Sequence, residues 1–325
     1  MNATLERLPI LVLEPHSRCN CRCVMCDIWK VTDARELTAA ELERHLADID
    51  RLRVEWVVFT GGEPLMHSDL FRLSALLRAR GIRITILTTG LLLERHAARI
   101  VETMDDVIVS LDGPRAIHDE IRRIPNAFDR LAEGVQAIRR LSPDYAISAR
   151  CTVQARNAAR LCDTVAAARD LNLRSISFLA ADVSSTAFNR PLPWPENRRS
   201  EVAPELAAVE REIERIIADY PADGFILETP AKLRRIVSHF RAHHGLESYT
   251  APRCNAPWVS AVVEANGDVR PCFFHPPIGN LGGATLGEVL NGPPAVAFRQ
   301  SLDVTSNPTC RQCVCSLYRE TNGSK

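Results

Sequence analysis

The sequence predicts an α/β protein: six strand–helix units building a parallel sheet that closes toward an open barrel, then a small loop-rich C-terminal domain. Three observations carry this prediction. Strand-like apolar runs recur at about residues 9–14, 54–60, 83–89, 106–111, 146–153 and 174–181, separated by segments of helical periodicity, and such alternation with right-handed crossovers gives a parallel sheet. From about residue 251 the texture changes to short strands and turns. The cysteines, eleven in 325 residues, concentrate at 19–26 and beyond 250.

In chain order, the run Leu8 to Leu13 leads into the first cysteines. Thr38 to Asp50 places Leu42, Leu46 and Ile49 on one helical face, with Thr38 as N-cap and Glu41 at the capping-box position. Asp69 to Arg80 repeats the pattern with Leu70, Leu73, Leu76 and Leu77, and Gly81 is its stop. Cys151 falls in a strand and Cys162 in a helix, both core positions for free thiols. Prolines at 191, 193 and 195 mark a boundary, since they continue neither a helix nor a central strand. Val202 to Tyr220 is helical, with Glu210, Arg211, Glu212, Glu214 and Arg215 expected on a solvated face. Trp258 to Ala265 reads as a strand, and Asn266-Gly267 as a hairpin turn. The organisation expected is 1–190 core barrel, 191–250 linker and helical segment, and 251–325 small C-terminal domain. No internal repeat or low-complexity tract interrupts it.

Composition narrows the function classes. Forty basic and forty acidic side chains cancel, so no global field favours nucleic acid or an anionic membrane. No apolar stretch reaches spanning length, and the run before the first cysteines is too short for a secretory h-region. Thiol-rich chains without such a signal belong in a reducing compartment, and the cytoplasm is the expected location.

Cys19, Cys23 and Cys26 give the spacing C-x3-C-x2-C in a loop after the first strand. Three thiolates hold three irons of a four-iron cluster and leave the fourth open to a small molecule. A structural zinc site would need four ligands, usually as two separated pairs. Cys21, between two of the proposed ligands, reads as a bystander. Thr60-Gly61-Gly62-Glu63-Pro64 follows the run Val54 to Phe59; paired glycines let the backbone approach a ligand, and the glutamate offers an acceptor to an amine. The cysteine loop, this turn, Thr88-Thr89-Gly90 and Ser110/Asp112 all fall at C-terminal strand ends, where parallel α/β folds carry their sites.

Together, C-x3-C-x2-C and GGEP resemble the radical S-adenosylmethionine (SAM) superfamily. Ser110-Leu-Asp112-Gly-Pro114 with His118, Asp119 and Arg122 resembles the branch of sulfatase-maturating and peptide-modifying members. At the C-terminus, Cys254, the run Gly267 to Cys272, and Cys310-x2-Cys313-x-Cys315 resemble the SPASM/twitch auxiliary-cluster pattern. The full pattern holds two clusters on seven cysteines; here only five lie beyond residue 250. The resemblance therefore implies a partial (β/α)6 radical SAM barrel with a twitch-like domain carrying one auxiliary four-iron cluster on Cys254, Cys272, Cys310 and Cys313. Cys315 competes for the last ligand place.

The resemblance further implies that Glu63 accepts from the SAM amino group beside Gly61 and Gly62, and that Ser110 and Arg150 take its carboxylate. A guanidinium fork suits a carboxylate, although a strand-end arginine is as readily a surface residue. Asp112 takes a ribose hydroxyl or forms the turn with Gly113-Pro114; Met25 covers adenine or cluster, or simply packs. His16 and His118 are read as ordinary hydrogen-bonding residues, Asp182 as able to face the cavity, and Phe273-Phe274-His275 as packing at the auxiliary cluster.

The implied chemistry is reductive cleavage of SAM to a 5'-deoxyadenosyl radical that takes a hydrogen atom from a substrate, fed by an external reductant such as flavodoxin or ferredoxin. The outcome is an oxidation through the auxiliary cluster, or a redox-neutral change if Cys315 is free to return hydrogen. A peptide or protein side chain, modified by oxidation, cross-linking or epimerisation, is the expected substrate, and a small metabolite such as a sugar, aminocyclitol or nucleoside is the alternative. The chain starts close to its first strand, so a peptide would need a separate recognition protein or a short direct contact. A non-catalytic iron-sulfur electron carrier is the reading outside enzymes.

Overall fold

A computed structural model describes residues 2–191, 193–220 and 223–320. Leu192 of the proline-rich run and residues 321–325 of the expected C-terminal domain lie outside the described residues. Six strands alternate with helices as expected: β1 (Ile10–His16), α1 (Ala39–Glu43), α2 (Leu46–Arg51), β2 (Trp56–Gly61), α3 (Leu70–Arg78), β3 (Arg83–Thr88), α4 (Leu93–Thr103), β4 (Asp106–Ser110), α5 (Arg115–Arg122), α6 (Ala127–Leu141), β5 (Ala146–Val153), α7 (Leu161–Asp170) and β6 (Ile176–Ala180). Then come α8 (Glu196–Val202), α9 (Leu206–Asp219) and α10 (Pro230–His243). The C-terminal part holds α11 (Ala256–Val259), β7 (Ser260–Val263), β8 (Asp268–Arg270), β9 (Gly279–Asn280), α12 (Leu286–Asn291), α13 (Pro293–Ser301) and α14 (Pro308–Arg311).

All nine strands form one sheet in the order β6-β5-β4-β3-β2-β1-β7-β8-β9. β1 to β6 pair in parallel, and the β7–β8–β9 meander continues the sheet beyond β1. The C-terminal segment is thus stitched into the barrel sheet, with Ile10 opposite Ser260 and Leu13 opposite Val263. Burial explains the join: every residue of β7 is buried, as a strand inside a parallel sheet requires, and its docking covers what would be a bare edge on β1.

Period-two alternation divides the barrel strands into core and cavity. Leu11, Leu13, Val57, Phe59, Ile84, Ile86, Val107, Val109, Ile147 and Ala149 are buried in the main apolar core with Leu42, Ile49, Leu73, Leu77, Ile100, Leu131 and Ile138 of the helices. The alternate residues Glu14, Thr60, Leu87, Ser110, Arg150 and Thr152 line the main cavity.

Three expectations change. Thr38–Asp50 is two helices, although Thr38 and Glu41 do form the capping box, a contribution of about 1 kcal/mol. Val202–Tyr220 breaks before Pro204, whose ring disfavours helix at Ala203. Glu212 is not on a solvated face: it is buried and accepts the Cys162 amide at 3.0 Å. The N-terminus of α7 has no side-chain cap from Arg160, and Glu212 supplies the acceptor that the free helix amides and their dipole need. At the Arg190–Pro195 boundary Arg190 and Trp194 are buried, whereas Pro191, Pro193 and Pro195 are exposed. Among the described residues, no helix is long and apolar enough to cross a membrane.

Candidate functional site

The loop carrying Cys19, Cys23 and Cys26 leaves β1 and is clamped from two sides. The Glu63 amide donates to the Arg18 carbonyl at 2.7 Å and the Gly62 amide to the His16 carbonyl at 3.4 Å. This approach demands glycines: a Cβ on Gly62 would run into the Arg18 carbonyl, and Gly61 sits at φ +101° with its Cβ position 2.8 Å from the Glu14 Cβ. From the other side the Arg22 and Val24 amides donate to the Arg122 and Ile121 carbonyls at 3.0 and 3.1 Å. The three cysteines border a cavity of about 1060 Å³, together with Met25, Gly61, Gly62, Ser110, Arg150 and Asp182.

Glu63 lies behind the cavity wall. It is fully buried and is not part of the cavity wall. Its Oε1 accepts from the Leu65 amide at 3.0 Å and Thr88 Oγ1 at 2.8 Å. Its Oε2 accepts from the Thr89 amide and Thr89 Oγ1, both at 2.7 Å. These donors fix the carboxyl group from the protein side. Thr89 Oγ1 also reaches Asn20 Oδ1 at 3.0 Å, so Glu63 ties the Gly61-Gly62 turn, the end of β3 and the cysteine loop together. Burial still pushes its pKa up against these donors.

Asp112 differs from its expectation. It is fully buried and off the cavity wall, its Oδ1 accepting the Thr152 amide at 2.9 Å and its Oδ2 2.5 Å from Arg122 Nη2; it is neither free for a ribose nor merely a turn residue. Ser110 and Arg150 do come together, as register partners on β4 and β5 facing the cavity. Arg150 is half-buried, its Nε 3.3 Å from Ser177 Oγ, so the surface reading of this arginine falls. Met25 packs between the cysteine loop and the Ala181–Val183–Trp194 cluster while bordering the cavity. Asp182 faces the cavity and is paired with Arg190. His16 and His118 are buried, the latter 3.2 Å from the Asp112 amide.

A second, smaller pocket of about 330 Å³ is lined by Cys254, Cys272, Cys310, Cys313 and Cys315. Only Cys315 of these also borders the main cavity. Burial holds the Cys315 thiol up at about 11, with Arg150 pulling the other way.

Both cysteine sets fit iron-sulfur clusters, because donors point at the sulfurs. The Ile28 amide lies 3.4 Å from Cys26 Sγ, the Ala256 amide 3.5 Å from Cys254 Sγ, Arg122 Nη1 3.5 Å from Cys23 Sγ, and His275 Nε2 3.3 Å from Cys310 Sγ. Such contacts compensate thiolate charge at cluster ligands. Burial pushes Cys26 and Cys313 up, and Cys310 to about 12, so these sulfurs ionise readily only onto a metal. A hydrogen bond from Cys21, and the Arg122 charge, draw Cys23 down to about 7. In a four-iron cluster each thiolate takes its own corner.

Glu14 carried no signal in the sequence, being one acidic residue in an apolar strand, yet it stands on the cavity wall beside Glu264 and Arg270. Burial, with Glu264 adding and Arg270 opposing, lifts its pKa from an ordinary 4.5 to about 8. A raised carboxyl pKa stabilises the fold fully below the unfolded value and loses that contribution as pH rises through the folded one. Each unit is worth about 1.4 kcal/mol, and solvent in the open cavity screens part of it, leaving about 2 kcal/mol. Glu14→Gln should therefore flatten the fall in thermal midpoint between pH 4.5 and about 8. Parallel wild-type and variant curves would refute this role.

Comparison with known proteins agrees with this geometry. Residues 13–154 match the radical SAM superfamily and 254–314 the iron-sulfur cluster-binding SPASM domain. The chain belongs to the radical SAM superfamily, in the group with a C-terminal SPASM-type domain, and its cofactors are SAM, a SAM-binding four-iron cluster and an auxiliary cluster. It is 26% identical to the AdoMet-dependent heme synthase of Methanosarcina barkeri over 90% of this chain and 84% of that one. It is 33% identical to the Fe-coproporphyrin III synthase of the same organism, over 40% of this chain and only 34% of that protein's length. AlbA, the subtilosin biosynthesis protein of Bacillus subtilis, is 25% identical over 85% of this chain and 58% of its own. By fold, Streptococcus suis SuiB bound to its precursor peptide SuiA superposes with a TM-score of 0.68 at 15% identity, covering 97% of this chain and 73% of that one.

Proposed function

We propose that this chain is a radical SAM enzyme that abstracts a hydrogen atom from a peptide or protein side chain, and that Cys315 returns a hydrogen atom to the resulting carbon radical. One observation carries the reading: Cys315 borders the same cavity as Cys19, Cys23 and Cys26, whereas Cys254, Cys272, Cys310 and Cys313 border only the second pocket. When bound, the reduced cluster and SAM supply a 5'-deoxyadenosyl radical. Cys19, Cys23 and Cys26 hold that cluster. Gly61 and Gly62 bring backbone to the amino end of SAM, Ser110 and Arg150 hold its carboxylate, and Met25 covers it. Cys254, Cys272, Cys310 and Cys313 hold the auxiliary cluster.

The thiol step balances simply. The S–H bond of Cys315 breaks homolytically and a C–H bond forms on the substrate. One electron from an external donor, such as flavodoxin or ferredoxin, and one solvent proton then restore the thiol. The net change in the substrate is redox-neutral, as in an epimerisation. A cavity open to solvent favours a peptide segment entering from outside, and the likeness to AlbA supports it. The cytoplasm keeps thiols and clusters reduced.

A second reading, a heme-sized metabolite, is favoured by the heme synthase match across most of both chains. Anaerobic reaction with SAM and dithionite in deuterium oxide separates the readings, using short peptides encoded beside the gene or an iron porphyrin. The expected result is 5'-deoxyadenosine release stimulated by a peptide that gains one solvent deuterium on carbon. Stimulation by the porphyrin alone would replace the peptide, and no 5'-deoxyadenosine at all would leave an electron carrier.

A further inference from the structure

Ser110 and Arg122 of the Ser110–Arg122 string border the cavity, Asp112 and His118 lie beneath it, and the Arg122 side chain joins Asp112 to the cysteine loop. The arrangement is rigid. Asp112 is fixed through Oδ1 by the Thr152 amide, through its carbonyl by Asn157 Nδ2 at 2.9 Å, and through its own amide by His118 Nδ1 at 3.2 Å. Its Oδ2 holds Arg122 Nη2 at 2.5 Å, and Arg122 Nη1 is aimed at Cys23 Sγ at 3.5 Å. Arg122 is 6% exposed and Asp112 is 0% exposed, so water screens this contact weakly.

The other donors described at candidate ligand sulfurs are the Cys21 thiol at Cys23, backbone amides at Cys26, Cys254 and Cys272, and the His275 ring at Cys310. Cys23 alone among them receives a guanidinium, which keeps its proton and charge throughout the working range. Net charge and hydrogen bonds at the sulfurs set the potential of an iron-sulfur cluster. Reduction adds one negative charge to the cluster, and a fixed cation at one sulfur favours the reduced form.

We propose that Arg122 is a positioning residue acting through Cys23: oriented by Asp112, its guanidinium raises the reduction potential of the SAM-binding cluster and eases its loading by a one-electron donor. The inference rests on the assignment of Cys19, Cys23 and Cys26 to that cluster. The Arg122 carbonyl takes the Arg22 amide at 3.0 Å, and side-chain replacement leaves that backbone clamp in place.

The test is a redox titration of the anaerobically purified holoenzyme, following the part of the electron paramagnetic resonance signal that changes when SAM is added. Arg122→Gln is expected to keep its iron and to make reduction about tenfold less favourable, about 59 mV for one electron. Full iron with an unchanged midpoint overturns the proposal. If Arg122→Gln binds less iron, Arg122→Lys is read instead. Charge without the planar fork should restore the iron and leave the midpoint between wild type and that tenfold loss. Failure of the lysine to restore iron overturns the proposal, because loop structure then explains the loss. Cys19→Ala/Cys23→Ala/Cys26→Ala separates the two assignments: iron retained there removes the ligand set itself, while iron lost there with an unchanged Arg122→Gln midpoint removes only the role of Arg122.

Discussion

Replacing Cys19, Cys23 and Cys26 together by alanine should remove about half of the iron, about four of about eight atoms for two cubanes, and abolish SAM cleavage. These sulfurs border the main cavity with Gly61, Gly62, Ser110 and Arg150, whereas the four other candidate ligands stand around a separate pocket. One set can therefore be emptied while the other stays filled. The loop has a second hold through the Glu63 and Gly62 amides and the carbonyls of Ile121 and Arg122, so the barrel should survive the loss. Iron analysis and 5'-deoxyadenosine assay check the two halves of the prediction separately. Cleavage retained by the triple variant would end the assignment of these cysteines.

Local chemistry made much of this protein readable in its sequence. Strand positions follow from apolar runs, and the strand-end residues Thr60 and Ser110, which border the cavity, lie in the segments the motifs marked. The cysteine spacings and the Gly61-Gly62 turn are likewise local, because each acts within a few residues of itself. What escaped is set by chain segments far apart in sequence. Glu63 is buried because Thr88 and Thr89 at the end of β3 bring hydrogen-bond donors to its carboxyl group. Asp112 is claimed by Arg122 across a helix and by Thr152 on the next strand. Glu212 looked solvated until the free end of α7 was placed beside it. β7 joined the sheet because β1 had an open edge, a property of the assembled barrel that no window around Ser260–Val263 contains.

Cys315→Ala should keep the full iron content and still cleave SAM, yet form little of the wild-type product. The argument is positional. Cys310, Cys313 and Cys315 lie within six residues, but one cubane with Cys254 and Cys272 needs only two of them. Cys310 has the His275 ring at its sulfur, and Cys313 sits with its Sγ 3.1 Å from the Cys315 carbonyl, bordering only the second pocket. Cys315 stands where that pocket meets the main cavity, the position from which a thiol meets a substrate radical. Without its S–H the radical persists and is quenched elsewhere, so 5'-deoxyadenosine should accumulate ahead of product, and solvent deuterium should no longer enter the substrate carbon. Cys315→Ser should behave the same way, since an O–H bond is too strong to give up its hydrogen to a carbon radical. Loss of about half the iron in Cys315→Ala would instead make Cys315 a cluster ligand and move the chemistry toward net oxidation.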